Sequence, residues 1–270
     1  YWHQCEKLPV AFDTKKGKEY TDDKGDFWKA EGELGVYRSC FTGEQMHYLP
    51  EGPQVNTPYR MLVDRGRLFV VPGGRWAVQN SNPGHVMIYE DGHWTNITNS
   101  QITSQTGKPA LDFMNVAVDP QNTEHFFVTS YGTGVYEFQG DELVKHHTPS
   151  NSILTSAVAN NPDKYTRTDG AVYDSEGRLW VENVSDVDST LIVFLKEGTQ
   201  LGVNLYKNGT RYNLYTPAEL CIDKYVFYRK WMLACRAGTA VVLLNDGGTM
   251  LDSFDDQLTV RTELHDQDGN

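Results

Sequence analysis

The sequence contains few cysteines and no long apolar run. Four cysteines occur among 270 residues, Cys5, Cys40, Cys221 and Cys235, and no two of them are spaced as Cys-x-x-Cys. This density defines no disulfide framework and argues against a cysteine-based metal site. Cys221 and Cys235 could face each other across a hairpin, although we expect buried thiols because free cysteine is usually buried. No stretch approaches the roughly 18 to 20 apolar residues of a transmembrane helix, so the sequence predicts no membrane span in this segment.

Positive charge is also scarce. The chain carries 24 Lys and Arg residues against 36 Asp and Glu residues, a formal net charge of −12. A protein of this sign does not attract phosphate backbones, so nucleic acid is not an expected partner. The first residue is Tyr1 rather than Met, and no signal-peptide pattern follows it. We therefore expect a processed product or a piece of a longer chain.

The sequence lacks the common catalytic and metal-binding motifs. It contains no G-x-S-x-G, H-E-x-x-H, EF-hand or phosphate-loop pattern. His146 and His147 are adjacent in a strand-like segment, where neighbouring side chains point to opposite faces. They are poor joint metal ligands, and we expect solvated histidines at both positions. The sequence thus predicts no metal and no cofactor.

Aromatic and turn residues are abundant, with 15 Tyr and 24 Gly residues. They belong to a recurring element, in which an apolar strand, an Asp and a tight Gly turn precede a strand that opens with an aromatic residue. Its clearest copy runs from Val172 through Asp174, Gly177 and Trp180. The aromatic positions of the successive copies are Trp28, Phe69, Phe127, Trp180 and Trp231. Their spacing fits the period of about 40 to 50 residues found in propeller blades, with loop insertions where it is longer.

A Gly-bearing turn, an apolar strand and a more polar strand follow each copy, which makes four short strands per repeat. The sequence therefore predicts an all-β fold, a β-propeller of four-stranded antiparallel blades. We expect a single propeller or propeller fragment over residues 1–270, with about five blades that form part of a larger propeller. Approximate blade boundaries are 1–50, 51–100, 101–150, 151–215 and 216–270. The repeated Asp is interpreted as a turn residue, and the aromatic residue as the filler between adjacent blades.

Several motifs resemble a known repeat family. Gly25-Asp-Phe-Trp28 and Gly177-Arg-Leu-Trp180 are similar to the two-component regulator propeller repeat of Bacteroidetes. The segments 128–138 and 247–252 more closely resemble the PorZ-like propellers of the type IX secretion system. The resemblance implies a periplasmic or cell-surface protein, either the sensing region of a regulator or a secretion factor that handles a surface polysaccharide. It also implies other propeller, secretion or sensor domains as partners.

An enzyme is the alternative from another functional class. A propeller-fold glycoside hydrolase needs two carboxylates across a sugar-binding cleft, and a propeller-fold lyase is the related possibility. Asp112, Asp169 and Glu219 each open a predicted innermost strand, where a central site would lie. Converging carboxylates would favour the enzyme, whereas aromatic and amide groups would favour binding. We predict a non-catalytic extracytoplasmic recognition module.

The candidate binding residues come from three loops on one predicted face. The longest loop spans residues 72–83 and supplies Arg75, Trp76 and Asn80. The equivalent place in the next blade holds Tyr131, and a linker between blades supplies Tyr165 and Arg167. Flat aromatic faces together with fixed hydrogen-bond donors suit a glycan or peptide ligand. The simpler alternative is that these loops are only solvated.

Overall fold

The computed structural model describes residues 19–30, 35–48, 51–76, 81–184, 189–235 and 238–266. Nearly all regular structure in these ranges is antiparallel β-sheet, so the predicted all-β class is confirmed. The chain divides into two compact units, residues 1–52 and residues 53–270. Within the described ranges, neither short helix has the length or apolarity to cross a membrane.

The first unit contains one four-stranded sheet, group A. Its strands are β1 (Glu19–Thr21), β2 (Phe27–Ala30), β3 (Val36–Ser39) and β4 (Gln45–Tyr48), paired in chain order. The carboxylate of Asp22 accepts hydrogen bonds from the backbone amides of Lys24 and Asp26 and from Trp28 Nε1 at 3.0 Å. These bonds close the β1–β2 turn and fix the tryptophan ring beside it.

The second unit contains four groups of four strands. Group B comprises β5 (Arg60–Asp64), β6 (Arg67–Val71), β7 (Val86–Glu90) and β8 (His93–Ile97). Group C comprises β9 (Phe113–Asp119), β10 (Asn122–Gly132), β11 (Gly134–Gln139) and β12 (Glu142–His147). Group D comprises β13 (Thr166–Tyr173), β14 (Leu179–Asn183), β15 (Leu191–Phe194) and β16 (Gln200–Val203). Group E comprises β19 (Pro217–Ile222), β20 (Arg229–Ala234), β21 (Ala240–Asn245) and β22 (Gln257–Arg261).

Shorter elements connect these groups. Helix α1 (Asn99–Thr106) follows group B, helix α2 (Pro162–Tyr165) precedes β13, and β17 (Leu205–Lys207) pairs with β18 (Thr210–Tyr212). Thr98 and Gln101 form a capping box at the start of α1, and Gly107 ends it at φ 71°. Strand β10 also pairs with β13 through Tyr131–Arg167 and Gly132–Thr166, so groups C and D share one sheet.

Strand alternation builds the core of the second unit. Phe126 and Phe127 are neighbours on β10 and therefore point to opposite faces of group C. Phe126 packs against Phe69 of group B with ring centroids 5.2 Å apart, whereas Phe127 joins a cluster with Leu179 and Val181 of group D. A third cluster places Trp180 of group D with the buried side chains of group E. Groups B to E thus pack face to face in chain order.

The five repeated aromatic residues each lie on the second strand of a group, β2, β6, β10, β14 and β20. Phe69, Phe127 and Trp180 are buried between successive groups of the second unit. Trp231 differs, because its side chain is 38% exposed and lies on the face of group E opposite to buried Met232. The prediction that the aromatic residue fills a gap between blades therefore stays a prediction for Trp231, whose face no following group of the described residues covers.

The first strands of groups C, D and E contain register irregularities. Met114 of β9 and Ala218 of β19 each have no partner in the register of the neighbouring strand, so each is an extra, bulged residue. In β13, two residues, Asp169 and Gly170, oppose the single residue Glu182 of β14. Strand β13 lies against both β9 and β19, so these first strands are neighbours in the second unit. Such bulges redirect side chains, often close to functional sites.

Two expectations about reactive side chains need correction. Cys221 is exposed and stands opposite Trp231, whereas the half-buried Cys235 donates its thiol hydrogen to the Thr216 carbonyl. The two thiols therefore do not face each other, and neither is fully buried. His147 is not solvated either. It is 3% exposed, and its Nε2 lies 2.9 Å from Glu137.

Candidate ligand-binding site

Four of the six predicted binding residues line one small pocket in the second unit. Trp76 reaches it from the β6–β7 loop, Tyr131 from the end of β10, Tyr165 from α2 and Arg167 from β13. The pocket has a volume of about 80 Å³, well below the roughly 300 to 1,000 Å³ of drug-sized ligand sites. It can therefore accept one group of a ligand, whose remainder would lie across the rim.

A stacked guanidinium forms one wall of the pocket. Arg167 Cζ lies 5.1 Å from the ring centroids of both Tyr131 and Tyr165. Arg167 Nε is buried, and no described residue accepts a hydrogen bond from it. Cation–π contacts on both rings hold the guanidinium plane in place. The wall thus presents a fixed cation between two flat aromatic faces.

Trp76 also lines the pocket. Its Nε1 donates a hydrogen bond to the Tyr131 hydroxyl at 3.2 Å, and its ring packs against a buried cluster of Met114, Tyr131 and Val184. Burial raises the pKa of Tyr131, although Arg167 and the bond from Trp76 pull it down. The hydroxyl therefore stays protonated at neutral pH and can both accept and donate.

The pocket lining includes Asp112, one of the candidate catalytic carboxylates. Its two carboxylate oxygens accept hydrogen bonds from the backbone amides of Ser81, at 2.8 Å, and Asn82, at 2.9 Å. Burial raises the pKa of Asp112, and these two amides partly offset the shift. Asp112 has φ 48°, a left-handed conformation that Asp tolerates better than most residues. Its carboxylate therefore fixes the loop that carries Ser81.

The other two predicted residues are placed differently. Arg75 does not line the pocket; its guanidinium turns toward the first strands of groups D and E. Nε donates to Asp169 Oδ2 at 2.7 Å and Nη2 donates to the carbonyl of Ala218 at 2.8 Å. Asn80 lies outside the described residues.

The remaining candidate carboxylates form ion pairs away from the pocket. Glu219 binds both terminal nitrogens of Arg60, a contact that joins β19 to β5. Burial raises the pKa of Asp169 to about 7 against the opposing attraction of Arg75. Glu182 beside them is fully buried, and burial together with the charge of Asp169 raises its pKa well above the usual range. Asp112 is thus the one member of the predicted acidic trio that lines the pocket.

Sequence reasoning did not identify Ser81, Leu111, Gly132 or Lys164 as pocket residues. Lys164 lies in the linker that drew attention to Tyr165, so the linker was recognised but not the residue. Ser81 likewise lies in the predicted loop 72–83, and Gly132 follows the predicted Tyr131. Leu111 reaches the pocket beside its bridge to Pro83, which no local pattern predicts. A second, more open depression of about 430 Å³ lies between α1 and β12. Its described lining combines lysines and polar side chains with Leu143, Val144 and His146, and it contains no Tyr or Trp.

Comparison with known proteins finds similarity in structure rather than in sequence. No protein-family model matches the chain, and no curated protein sequence matches it. PorZ, an essential surface component of the type IX secretion system of Porphyromonas gingivalis, is 21% identical with a TM-score of 0.74, over 92% of this chain and 33% of PorZ. The chain therefore spans about a third of the length of PorZ.

Two further solved structures are more distant. The allergen Mala s 1 of Malassezia sympodialis is 12% identical with a TM-score of 0.50, over 93% of this chain and 81% of the allergen. The extracellular domain of a putative hybrid two-component system from B. thetaiotaomicron is 13% identical with a TM-score of 0.49, over 93% of this chain and 32% of that one. At such identities a likeness shows only the fold. The resemblance to PorZ that the sequence motifs predict is confirmed, and the chain has a propeller-like all-β fold.

Proposed function

We propose that this chain is a non-catalytic recognition module that works outside the cytoplasm and binds a carbohydrate or peptide in the pocket of Trp76, Tyr131, Tyr165 and Arg167. The observation that carries the proposal is the convergence of these four side chains from three separate segments of the chain. Two aromatic faces and a stacked guanidinium offer apolar contact and hydrogen-bond donors in a fixed geometry.

The extracytoplasmic setting is supported by the likeness to PorZ, described as a bacterial surface component. Under this proposal the chain serves as a ligand-sensing region of a regulator or as a surface assembly factor of the PorZ type. Neighbouring propeller, secretion or sensor domains would then be its partners.

The disposition of the carboxylates argues against the glycosidase alternative. A glycosidase needs two carboxyl groups that flank the scissile bond, one of them free to donate a proton. Asp169 and Glu219 are each paired with an arginine outside the pocket, and Asp112 binds two backbone amides. We therefore propose binding without turnover.

The test begins with a glycan array and a peptide array probed with the full chain. We expect retention of at least one class of ligand and recovery of that ligand unchanged after prolonged incubation, as judged by mass spectrometry. If the wild type cleaves the ligand or catalyses an elimination on it, and this turnover is lost in Asp112→Asn, the enzyme hypothesis would replace the binding proposal. Absence of binding on both arrays would remove the pocket as a recognition site.

A further inference from the structure

Arg75 and Trp76 are consecutive residues that serve different places in the second unit. Trp76 stands at the edge of the candidate pocket, whereas the side chain of Arg75 enters the cluster formed by the first strands. Both leave the same short segment after β6. Whatever fixes the side chain of Arg75 therefore also constrains the backbone from which Trp76 projects.

The contacts of Arg75 form what we call the axial clamp, composed of Arg75, Asp169 and Ala218. The guanidinium makes an ion pair with the Asp169 carboxylate, at 2.7 Å from Nε and 2.5 Å from Nη2, and it bonds the Ala218 carbonyl at 2.8 Å. Asp169 and Ala218 both occupy register irregularities, on β13 and β19. The clamp is well shielded, since the side chains of Arg75 and Asp169 are 15% and 3% exposed. It thus joins the β6–β7 loop of group B to groups D and E.

The backbone at Trp76 needs such an anchor. Trp76 has φ 62°, in the left-handed region that bulky residues rarely adopt. A conformation of this kind persists only where the surroundings determine it, and it is often found at binding sites. The indole meets Tyr131 on one side, and the preceding residue is held by the clamp on the other.

We propose that Arg75 is a positioning residue: through the axial clamp it holds Trp76 in its left-handed conformation at the edge of the pocket. Arg75 touches no ligand in this account. The part of the inference that concerns ligand affinity rests on the proposed function, whereas the part that concerns the conformation of Trp76 does not.

A second arginine provides a matched control. Arg60 of β5 pairs with Glu219 of β19 through both terminal nitrogens, so it also joins group B to group E. It belongs to a different strand from the Trp76 segment and does not line the pocket. Removing the Arg60 pair therefore perturbs the same junction, and under the proposal Trp76 keeps its conformation.

The experiment follows Trp76 by fluorine NMR in the full chain labelled with 5-fluorotryptophan. The chain has six tryptophans, and Trp76→Phe identifies the signal of interest. In Arg75→Gln we expect the Trp76 signal to shift and broaden, while the other signals stay in place. Arg60→Gln should leave the Trp76 signal unchanged. Arg75→Lys, which keeps the charge and a donor, should restore it partly.

Asp169→Asn removes the other half of the ion pair and should reproduce the effect of Arg75→Gln. The proposal is overturned if the Trp76 signal is unchanged in Arg75→Gln, or if Arg60→Gln moves it equally. It is also rejected if Arg75→Gln and Asp169→Asn both fail to fold, because the clamp would then be a general folding element. The NMR experiment requires no ligand. If the chain binds nothing on the glycan and peptide arrays, the proposed function is rejected, but the NMR result on Trp76 still tests the role of Arg75.

Discussion

The side chain of Asp174 has a larger role than its place in a turn indicates. Its Oδ1 accepts from the amides of Glu176 and Arg178, and its Oδ2 accepts from Arg178 Nε at 2.6 Å and Trp180 Nε1 at 2.8 Å. Burial pulls its pKa upward, but the donors of Trp180 and Arg178 outweigh burial, so the pKa of Asp174 is lowered. From the sequence alone, loss of a turn bond would cost about 1 kcal/mol.

We therefore predict that Asp174→Asn costs about 2 to 3 kcal/mol of unfolding free energy, because an amide would face the donors of Arg178 and Trp180. Trp180→Ala should cost about 3 to 5 kcal/mol, as large aromatic truncations in cores do. Asp91→Asn is the control, since Asp91 is exposed in a hairpin turn at φ 49°, which Asn also tolerates. Urea denaturation measures all three, and an Asp174→Asn midpoint equal to that of Asp91→Asn would contradict the assigned role.

A histidine on β10 is held between two carboxylates. His125 Nδ1 lies 3.2 Å from Asp119 and Nε2 lies 3.0 Å from Glu137. Carboxylates only accept, so both ring nitrogens must donate, which requires the protonated imidazolium. The bond to Glu137 raises the pKa of His125 despite partial burial. Burial acts to raise the pKa of Glu137, but bonds from His125 and His147 lower it to about 2.

This arrangement predicts a pH-dependent contribution to stability. Because the folded-state pKa of His125 lies above its unfolded value of about 6.5, its stabilisation is full below that pH and is lost as the pH rises through the folded pKa. The difference in unfolding free energy between wild type and His125→Gln should therefore be larger at about pH 5.5 than at about pH 9. Exposed His265 offers the control His265→Gln. A difference for His125→Gln that stays constant or grows with pH would refute the charged pairing.

At the scale of elements, close approach between first strands depends on Gly170. A Cβ at this position would lie 2.5 Å from the Leu220 amide nitrogen and 2.7 Å from Glu182 Oε2. Gly170→Ala should therefore push β13 away from β19 and cost about 2 to 3 kcal/mol, as overpacking does. Gly52→Ala is the matched control, since an added Cβ there meets no atom within 4 Å. Thermal unfolding distinguishes the two, and equal melting temperatures would show that the strands can separate freely.

The strand pattern was predictable to the extent that local chemistry determines it. The Asp turn with its following aromatic residue indicated the second strand of every group, although the copies at Phe127 and Trp231 lack the Gly, and the recurrence of four short strands indicated the all-β class. What the sequence could not show is which partner covers each face. Trp180 and Trp231 each follow a turn that begins with Asp, yet Trp180 is buried against group E and Trp231 is partly exposed, because burial depends on the neighbouring group rather than on the strand.

The candidate site was predictable where local loop composition marks its residues. It was incomplete where a residue's role depends on contacts between distant parts of the chain. Loops rich in Trp, Tyr and Arg marked Trp76, Tyr131, Tyr165 and Arg167 before any contact was known. Arg75 lies in the same Trp-containing and Arg-containing loop and was marked for the same reason, but its ion pair joins it to Asp169, 94 positions away. The role of Asp112 in fixing residues 81 and 82 is likewise a tertiary contact.

At the scale of the whole molecule, we propose that the five four-stranded groups are blades, with boundaries near residues 50, 100, 150 and 215, within a larger propeller. Hydrogen exchange followed by mass spectrometry on the full chain tests the boundaries, because ladder amides exchange slowly and connecting loops exchange quickly. We expect fast exchange in the connections between groups, outside helix α1. Protection that runs evenly across residues 148–161, which connect group C to group D without helix or strand, would contradict this division.

The central claim is that the pocket of Trp76, Tyr131, Tyr165 and Arg167 binds a ligand. The most direct measurement is isothermal titration calorimetry of the strongest array ligand against wild type, Trp76→Ala and the control Trp231→Ala, whose indole is partly exposed and does not line the pocket. We predict modest affinity, since ordering loops on binding costs free energy, and a Kd at least about tenfold weaker in Trp76→Ala, equivalent to about 1.4 kcal/mol. Trp231→Ala should bind as wild type does. Equal affinity of Trp76→Ala and wild type would contradict the account.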